Sequence, residues 1–495
     1  MAGPGEAPDA VDRPARARLA RYAGLVGAVL LTVAGWLGGA LPDAPATTPA
    51  GIWRGPHGPV LLGCWLAGTV LLVGAWWALR RGAPSTRWAY LTAGLWLLPL
   101  LAAPPVGSRD VYSYACQGWS WAHGVDPYRV GVAAAGCPWT DAVAPIWRDT
   151  PAPYGPFFVL LAGLAVTVGG GLVGAVVLLR LLAVAGVLLA ALCLPGLARA
   201  AGVPTRRAAW LALACPLVAG HLVGGAHNDA LLLGLLLCGL LVLVRRPGGP
   251  WALVVAGLLL GLAVTVKAVA VVVLPFAALG AVRGRYPWRA LLRDAGRLGG
   301  GVVAAVLVTS LVTGLGFGWV GGLARSGDSE QWTSPPTAVG FVVDYAGALV
   351  GREPHAVPLV RLVALLVLAV LLAALWWWAW SALRRLNEVR QPAARPAAAR
   401  HRVILLGAGL ALAATVLLAP VFYPWYATWP LAALAVATVP VARTVWFALP
   451  CAVVSFLALP DGTNLARFTK APGALAMTVL LLALVGWAVR RARRA

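Results

Sequence analysis

Apolar runs long enough to cross, or nearly cross, a lipid bilayer recur along the whole chain, and no other feature restricts its fold so tightly. They fall near 22–41, 58–79, 88–105, 156–172, 173–198, 208–223, 229–244, 251–266, 267–282, 298–316, 357–380, 403–420, 430–442, 444–460 and 475–489. A bilayer's hydrocarbon core takes roughly 20 apolar residues of helix, and backbone in lipid must hydrogen-bond internally. Of 495 residues, 61% are apolar and 11% charged, against about a quarter charged in soluble domains. A soluble, disordered or disulfide-stapled secreted chain is excluded. The expected fold is an all-α polytopic membrane protein, a bundle of about 13–15 transmembrane helices.

The net charge of +23 is not a nucleic-acid footprint here, because the basic residues cluster between apolar runs. Segments 80–87, 199–207, 245–246, 283–297, 384–402 and the tail at 490–495 are Arg-rich and nearly free of acids. Cytoplasmic connectors carry such an excess, which places both termini inside. Residues 1–21 form a cytoplasmic tail, with Arg13, Arg16, Arg18 and Arg21 ahead of an uncleaved first helix. One transmembrane unit then runs over 22–489. Two outer loops stand out, 106–155 and 317–356, with further outer segments around 224–229 and 461–474. Two runs fit this order awkwardly. The run 156–172 is short and ends in three glycines, which reads as an incomplete or re-entrant segment. The stretch 251–282 reads as a short hairpin with Lys267 near its apex.

Chemistry concentrates on the outer side. Loop 106–155 holds Asp110, Asp126, Asp141 and Asp149 among many aromatics, including Tyr112, Tyr114 and Tyr154. Carboxylates interleaved with rings suit a sugar, whose hydroxyls take hydrogen bonds while its C–H face packs on aromatics. Asp110 follows an apolar run directly, at the depth of a lipid headgroup, beside Arg109. It either solvates a helix end or acts on a substrate there. Asp126, before Pro127, is a turn former. His227, Asn228 and Asp229 form an ionisable cluster between two apolar runs, a functional site or an ordinary polar turn. Lys267, one of two lysines, either snorkels to the surface or meets an anion such as phosphate. Segment 419–430, with Tyr423 and Trp425, is an interfacial belt or a packing surface for lipid or sugar. Trp376, Trp377, Trp378 and Trp380 read as such a belt. Cys116 and Cys137 share the first loop, as free thiols or, outside the cytoplasm, as a disulfide. No spacing of Cys and His resembles a metal site.

The segments RDVYSYACQG (109–118), GVDPY (124–128) and APYGP (152–156) resemble the actinobacterial polyprenol-phosphomannose-dependent α-1,6-mannosyltransferases of the MptA/MptB type. That family is a branch of the membrane glycosyltransferases with the GT-C fold. GGAHNDALL (224–232), KAVAVVVLP (267–275), SPPTAVG (334–340) and FYPWYATWPL (422–431) are similar too. The resemblance spans roughly 20–490. It implies a GT-C-type bundle with a large first extracytoplasmic loop. It implies transfer of mannose from a polyprenyl-phosphate carrier to a lipid-anchored α-1,6-mannan, at the outer face of the plasma membrane. The family's catalytic Asp maps onto Asp110. A β-linked donor and an α product require inversion, a single displacement needing one base and a stabilised departing phosphate. On this reading Asp110 is the base and Lys267 the phosphate partner, with Arg109 as an alternative partner. His227 and Asp229 would help position the acceptor, and Arg109, Tyr112, Tyr114, Tyr154, Asn228, Tyr423 and Trp425 would line the substrate site. No cofactor is expected, because side chains can supply the cations, although a divalent metal stays open. Transfer of a different polyprenyl-linked sugar on the same scaffold is one alternative. A transporter, against which the acidic, aromatic outer loop stands, or a flippase subunit without catalysis, which would not need Asp110, is another.

Overall fold

The computed structural model describes residues 14–44, 47–281, 288–388 and 395–493. Most of the N-terminal tail, parts of two basic connectors (282–287 and 389–394) and the last two residues lie outside them. Among the described residues the chain is helical throughout, with one isolated bridge, Ala458 to Asn464, in place of any strand. Seven helices among the described residues are long and apolar enough to cross a membrane. They become eight if the bent pair Thr205–Leu213 and Val218–Gly224 counts as one span. The all-α polytopic class is as expected. Full-length spans are fewer than 13–15 because several apolar runs fold as shorter helices: Pro156–Gly169, Pro250–Val266, Ala268–Gly280 and Val441–Val454.

Local chemistry explains the breaks. Pro156–Gly169 is a regular helix of 14 residues, shorter than a full span, and it stops at Gly170, which adopts φ +65°. Pro250–Val266 ends at Lys267, whose backbone is extended before a 3₁₀ turn begins at Ala268. Lys267 therefore sits at a break within an apolar stretch, where its side chain can turn inward.

Helices pack through small residues, as lipid-embedded helices must when lipid competes equally for apolar side chains. Pro14–Gly38 meets Gly58–Ala78 at Gly27 and Gly68, where a Cβ on Gly27 would stand 2.7 Å from the Gly68 carbonyl oxygen. Leu172–Ala201 meets Asp229–Arg245 at Gly186 and Gly234. Pro250–Val266 meets Trp288–Thr313 at Gly257 and Gly301.

The connectors segregate by composition. Basic connectors touch one another: Thr86 hydrogen-bonds Thr205, and Arg402 donates to Ala201 O. At a separate cluster the acidic and aromatic loops meet. Arg109 donates to Asp461 O, and Asn464 donates to Gln331. Within the first loop Cys116 and Cys137 are disulfide-bonded, which decides between the two readings of these thiols. Asp126 accepts from Tyr128 N at 2.8 Å, the turn its sequence position suggested.

Candidate active site

The helix Asp110–Ala122 opens shortly after Pro104-Pro105-Val106-Gly107, with Gly107 at φ +73° against the His221 ring. Prolines cannot continue the preceding helix, so the chain restarts there. Asp110 occupies the first turn, where a carboxylate is favoured by the helix dipole, and its N–H donates to Ser108 Oγ. Its side chain is 15% exposed. Burial pushes the carboxyl up to about 6, opposed by nearby Lys267 and reinforced by Asp229.

Behind Asp110 stands His227, in the turn between the helical segments Val218–Gly224 and Asp229–Arg245. The preceding residue, Ala226, adopts φ +53°, a rare conformation for a residue with a side chain. His227 Nδ1 lies 3.3 Å from Tyr114 Oη, 3.7 Å from Asp110 Oδ2 and 3.9 Å from Asp229 Oδ2. Its ring stacks on Trp425 at 3.9 Å between centroids. Burial holds the imidazole well below its ordinary range, hence neutral.

Asp229 is wholly enclosed and accepts from Lys267 Nζ at 2.9 and 3.0 Å and from Trp429 Nε1 at 2.7 Å. The Lys267 ammonium lies over the rings of Tyr426 (4.6 Å), Trp429 (5.2 Å) and Tyr154 (5.9 Å). An ammonium paired with a buried carboxylate and faced by three rings is turned into the protein, which removes the snorkelling alternative.

Two cavities flank Asp110. The larger, about 300 Å³, is bounded by Arg109, Asp110, Ser329, Gln331, Tyr423 and Trp425 among others. The smaller, about 160 Å³, is bounded by Asp110, Ser113, Gln117, Tyr154, Lys267 and Tyr426 among others. Asp110, Trp147 and Tyr423 line both. A carboxylate reachable from two cavities, one holding a cation, can take a proton from a group in one while that group attacks a molecule in the other.

Several residues stand differently from their sequence reading. Arg109 borders the larger cavity but not the one holding Lys267, and its guanidinium donates to Ala44 O, Ala142 O and Asp461 O. Tyr112 points away and donates to Ala40 O. His227, Asn228 and Asp229 are 0%, 3% and 0% exposed and line neither cavity. His227 reaches a substrate only through Asp110 and Asp229 only through Lys267, while the Asn228 amide pairs with neither. Tyr114 is likewise buried, packed edge-on against Tyr154 and Phe158. Tyr154, Lys267, Tyr423 and Trp425 do line cavities.

Tyr426 and Trp429, which hold Lys267, went unnoticed within the aromatic motif around them. Ser329 and Gln331 were missed too. The Tyr423 hydroxyl meets Ser329 Oγ, Gln331 donates to the same oxygen, and Asn464 donates to Gln331. Nothing local marks those residues. Among the described residues, no group of three or more His, Cys, Asp or Glu is arranged to hold a metal ion.

The family described as α-(1→6)-mannopyranosyltransferase, N-terminal domain (MptA/MptB family), matches residues 21–283, and the MptB C-terminal domain matches 336–487. An α-(1→6)-mannopyranosyltransferase of Mycobacterium tuberculosis is 33% identical over 446 residues, covering 78% of this chain and 72% of the relative. The α-(1→6)-mannopyranosyltransferase A of the same organism is 35% identical over 431 residues, covering 83% and 78%. The α-(1→6)-mannopyranosyltransferase B of Corynebacterium glutamicum is 28% identical, covering 80% and 67%. No solved structure matches the chain significantly. With one family match over more than half its length and relatives above 30% identity along most of it, the chain belongs to the MptA/MptB family of α-(1→6)-mannopyranosyltransferases.

Proposed function

We propose that this protein transfers mannose from a polyprenyl-phosphate carrier to a growing α-1,6-mannan, with inversion, at the extracytoplasmic face of the plasma membrane. The observation that carries the reading is Asp110, shared by two cavities of which one contains Lys267. The acceptor hydroxyl lies in the larger cavity and the donor's phosphate beside Lys267 in the smaller. The acceptor oxygen attacks the anomeric carbon from the face opposite the phosphate. The new C–O bond forms as the C–O bond to phosphate breaks, and that electron pair departs with the polyprenyl phosphate. Asp110 takes the hydroxyl proton. Lys267 meets the charge developing on the phosphate oxygen, while Asp229 and Trp429 hold the lysine in place.

The outer placement is supported by the Arg-rich connectors gathered away from the site and by the Cys116–Cys137 bond, which belongs to an oxidising compartment. The test is mannose transfer from polyprenyl-phosphomannose to a short α-1,6-mannoside by purified protein in liposomes. Asp110→Asn should slow the chemical step by roughly 10²–10⁴-fold, the usual contribution of a positioned base, with donor binding and abundance little changed. Asp126→Asn, at the turn, serves as the control. Near-normal turnover by Asp110→Asn, or wild-type turnover of GDP-mannose without any polyprenyl carrier, would sink the proposal.

A further inference from the structure

Three polar residues of one helix look into the smaller cavity. Asp110, Ser113 and Gln117 stand at i, i+3 and i+7, so they share a helix face. At 1.5 Å per residue that face extends about 10 Å from the proposed base. Ser113 and Gln117 are 4% and 5% exposed. Ser113 Oγ and Gln117 Oε1 nevertheless have no hydrogen-bond partner among the described residues.

Folded proteins rarely leave buried polar atoms unpaired, since each loses water without replacement. Most buried hydroxyls among the described residues follow that rule; besides Ser113 only Tyr128, Ser310 and Thr478 do not, and of these four Ser113 alone lines a cavity beside Asp110. Ser120, on the same helix, donates to the Cys116 carbonyl four residues back, and Thr265, Thr309 and Ser455 do likewise. Ser113 does not. The opposite wall supplies the complementary chemistry, with Tyr154, Tyr426 and Trp429 beside the Lys267 ammonium. At about 160 Å³, against about 300 Å³ for its neighbour, this cavity suits the single sugar of the donor better than the acceptor chain.

We infer that Ser113 and Gln117 are the hydroxyl-recognising wall of a single-hexose subsite, which selects the sugar of the donor. The inference rests on the donor reading above and adds the residues that choose its sugar. The ring's C–H face packs on the aromatics, its hydroxyls pair with Ser113 and Gln117, and its anomeric carbon lies toward Asp110. A wall built to hydrogen-bond a hydroxyl rejects sugars that place it elsewhere, because its own polar atoms are then left unpaired.

The experiment uses full-length Ser113→Ala and Gln117→Met in liposomes with polyprenyl-phosphomannose and polyprenyl-phosphoglucose, which differ in configuration at one hydroxyl-bearing carbon. For each variant kcat/KM with the mannose donor should fall roughly tenfold or more, and the preference for mannose over glucose should shrink. The acceptor KM should stay put. Tm should hold or rise, since removing an unpartnered buried polar atom costs the fold nothing. Unchanged kcat/KM and sugar preference would overturn the subsite. So would a lowered Tm with selectivity intact, which would assign both groups to packing. Wild-type turnover of the mannose donor and its loss in Asp110→Asn test the transferase reading separately. With both in hand, failure of the two variants falls on the subsite alone.

Discussion

Asp110 begins a helix in a half-enclosed position, and the two facts work against each other. The helix dipole and Lys267 favour its charge, while burial and the Asp229 carboxylate oppose it, and burial wins: the carboxyl titrates at about 6 rather than 3.8. A base must be ionised to accept a proton. kcat/KM for transfer should therefore fall about tenfold per pH unit below about 6 and level off above it. A pH–rate profile that stays flat down to pH 4.5 would contradict the assignment. The same shift bears on stability with a definite sign. Between 3.8 and about 6 the folded state binds this proton more tightly than the unfolded state does. Stability from this group is thus greatest at low pH and falls as pH rises through that window. Arg109 illustrates the opposite situation, in which the type of residue was legible but its use was not. An arginine beside the base looks like a phosphate ligand, yet its guanidinium joins three backbone segments at Ala44, Ala142 and Asp461. Those carbonyls come from loops far apart in sequence, and no local pattern reports them.

Helices place the site, and one covalent link steadies the element that carries the base. Cys116 lies on the helix Asp110–Ala122 and is bonded to Cys137, 21 residues on. Closing a loop of that length contributes about 3 kcal/mol by restricting the unfolded chain. C116S/C137S should lower Tm accordingly and weaken donor kcat/KM less than Asp110→Asn does, because the helix still packs on its neighbour. That packing is close: Gly118 meets the Ala162–Gly163 backbone of Pro156–Gly169, leaving no room for a Cβ. Thermal melts of the oxidised and reduced wild type beside the double variant check this, and identical melting would refute it. Element boundaries were partly readable. The three glycines at 169–171 announced a break, whereas no turn residue marks the 3₁₀ segment after Lys267.

Across the whole molecule the connectors are sorted, with basic segments touching at one cluster and acidic, aromatic loops closing the candidate site at another. If the basic side is cytoplasmic, a fluorescent reporter fused after Ala495 should light up in cells. A cysteine introduced as Asp141→Cys, where the side chain is fully exposed, should react with a membrane-impermeant maleimide on intact cells. Labelling only after permeabilisation would reverse the orientation.

Class and family were readable in the chain alone, because both rest on local properties. Repeated hydrophobic length gives the polytopic class, and short contiguous motifs carry the family resemblance. Asp110, His227, Asp229, Lys267 and the Tyr423–Trp425 segment were all visible as polar or aromatic residues in apolar surroundings. Their pairing was not. Lys267 with Asp229, His227 between two carboxylates, and Asp110 between two cavities depend on helices that meet through glycines far apart in sequence. Ser113 and Gln117 drew no attention because an unpaired polar atom can be recognised only once every neighbour that could have paired with it is in place.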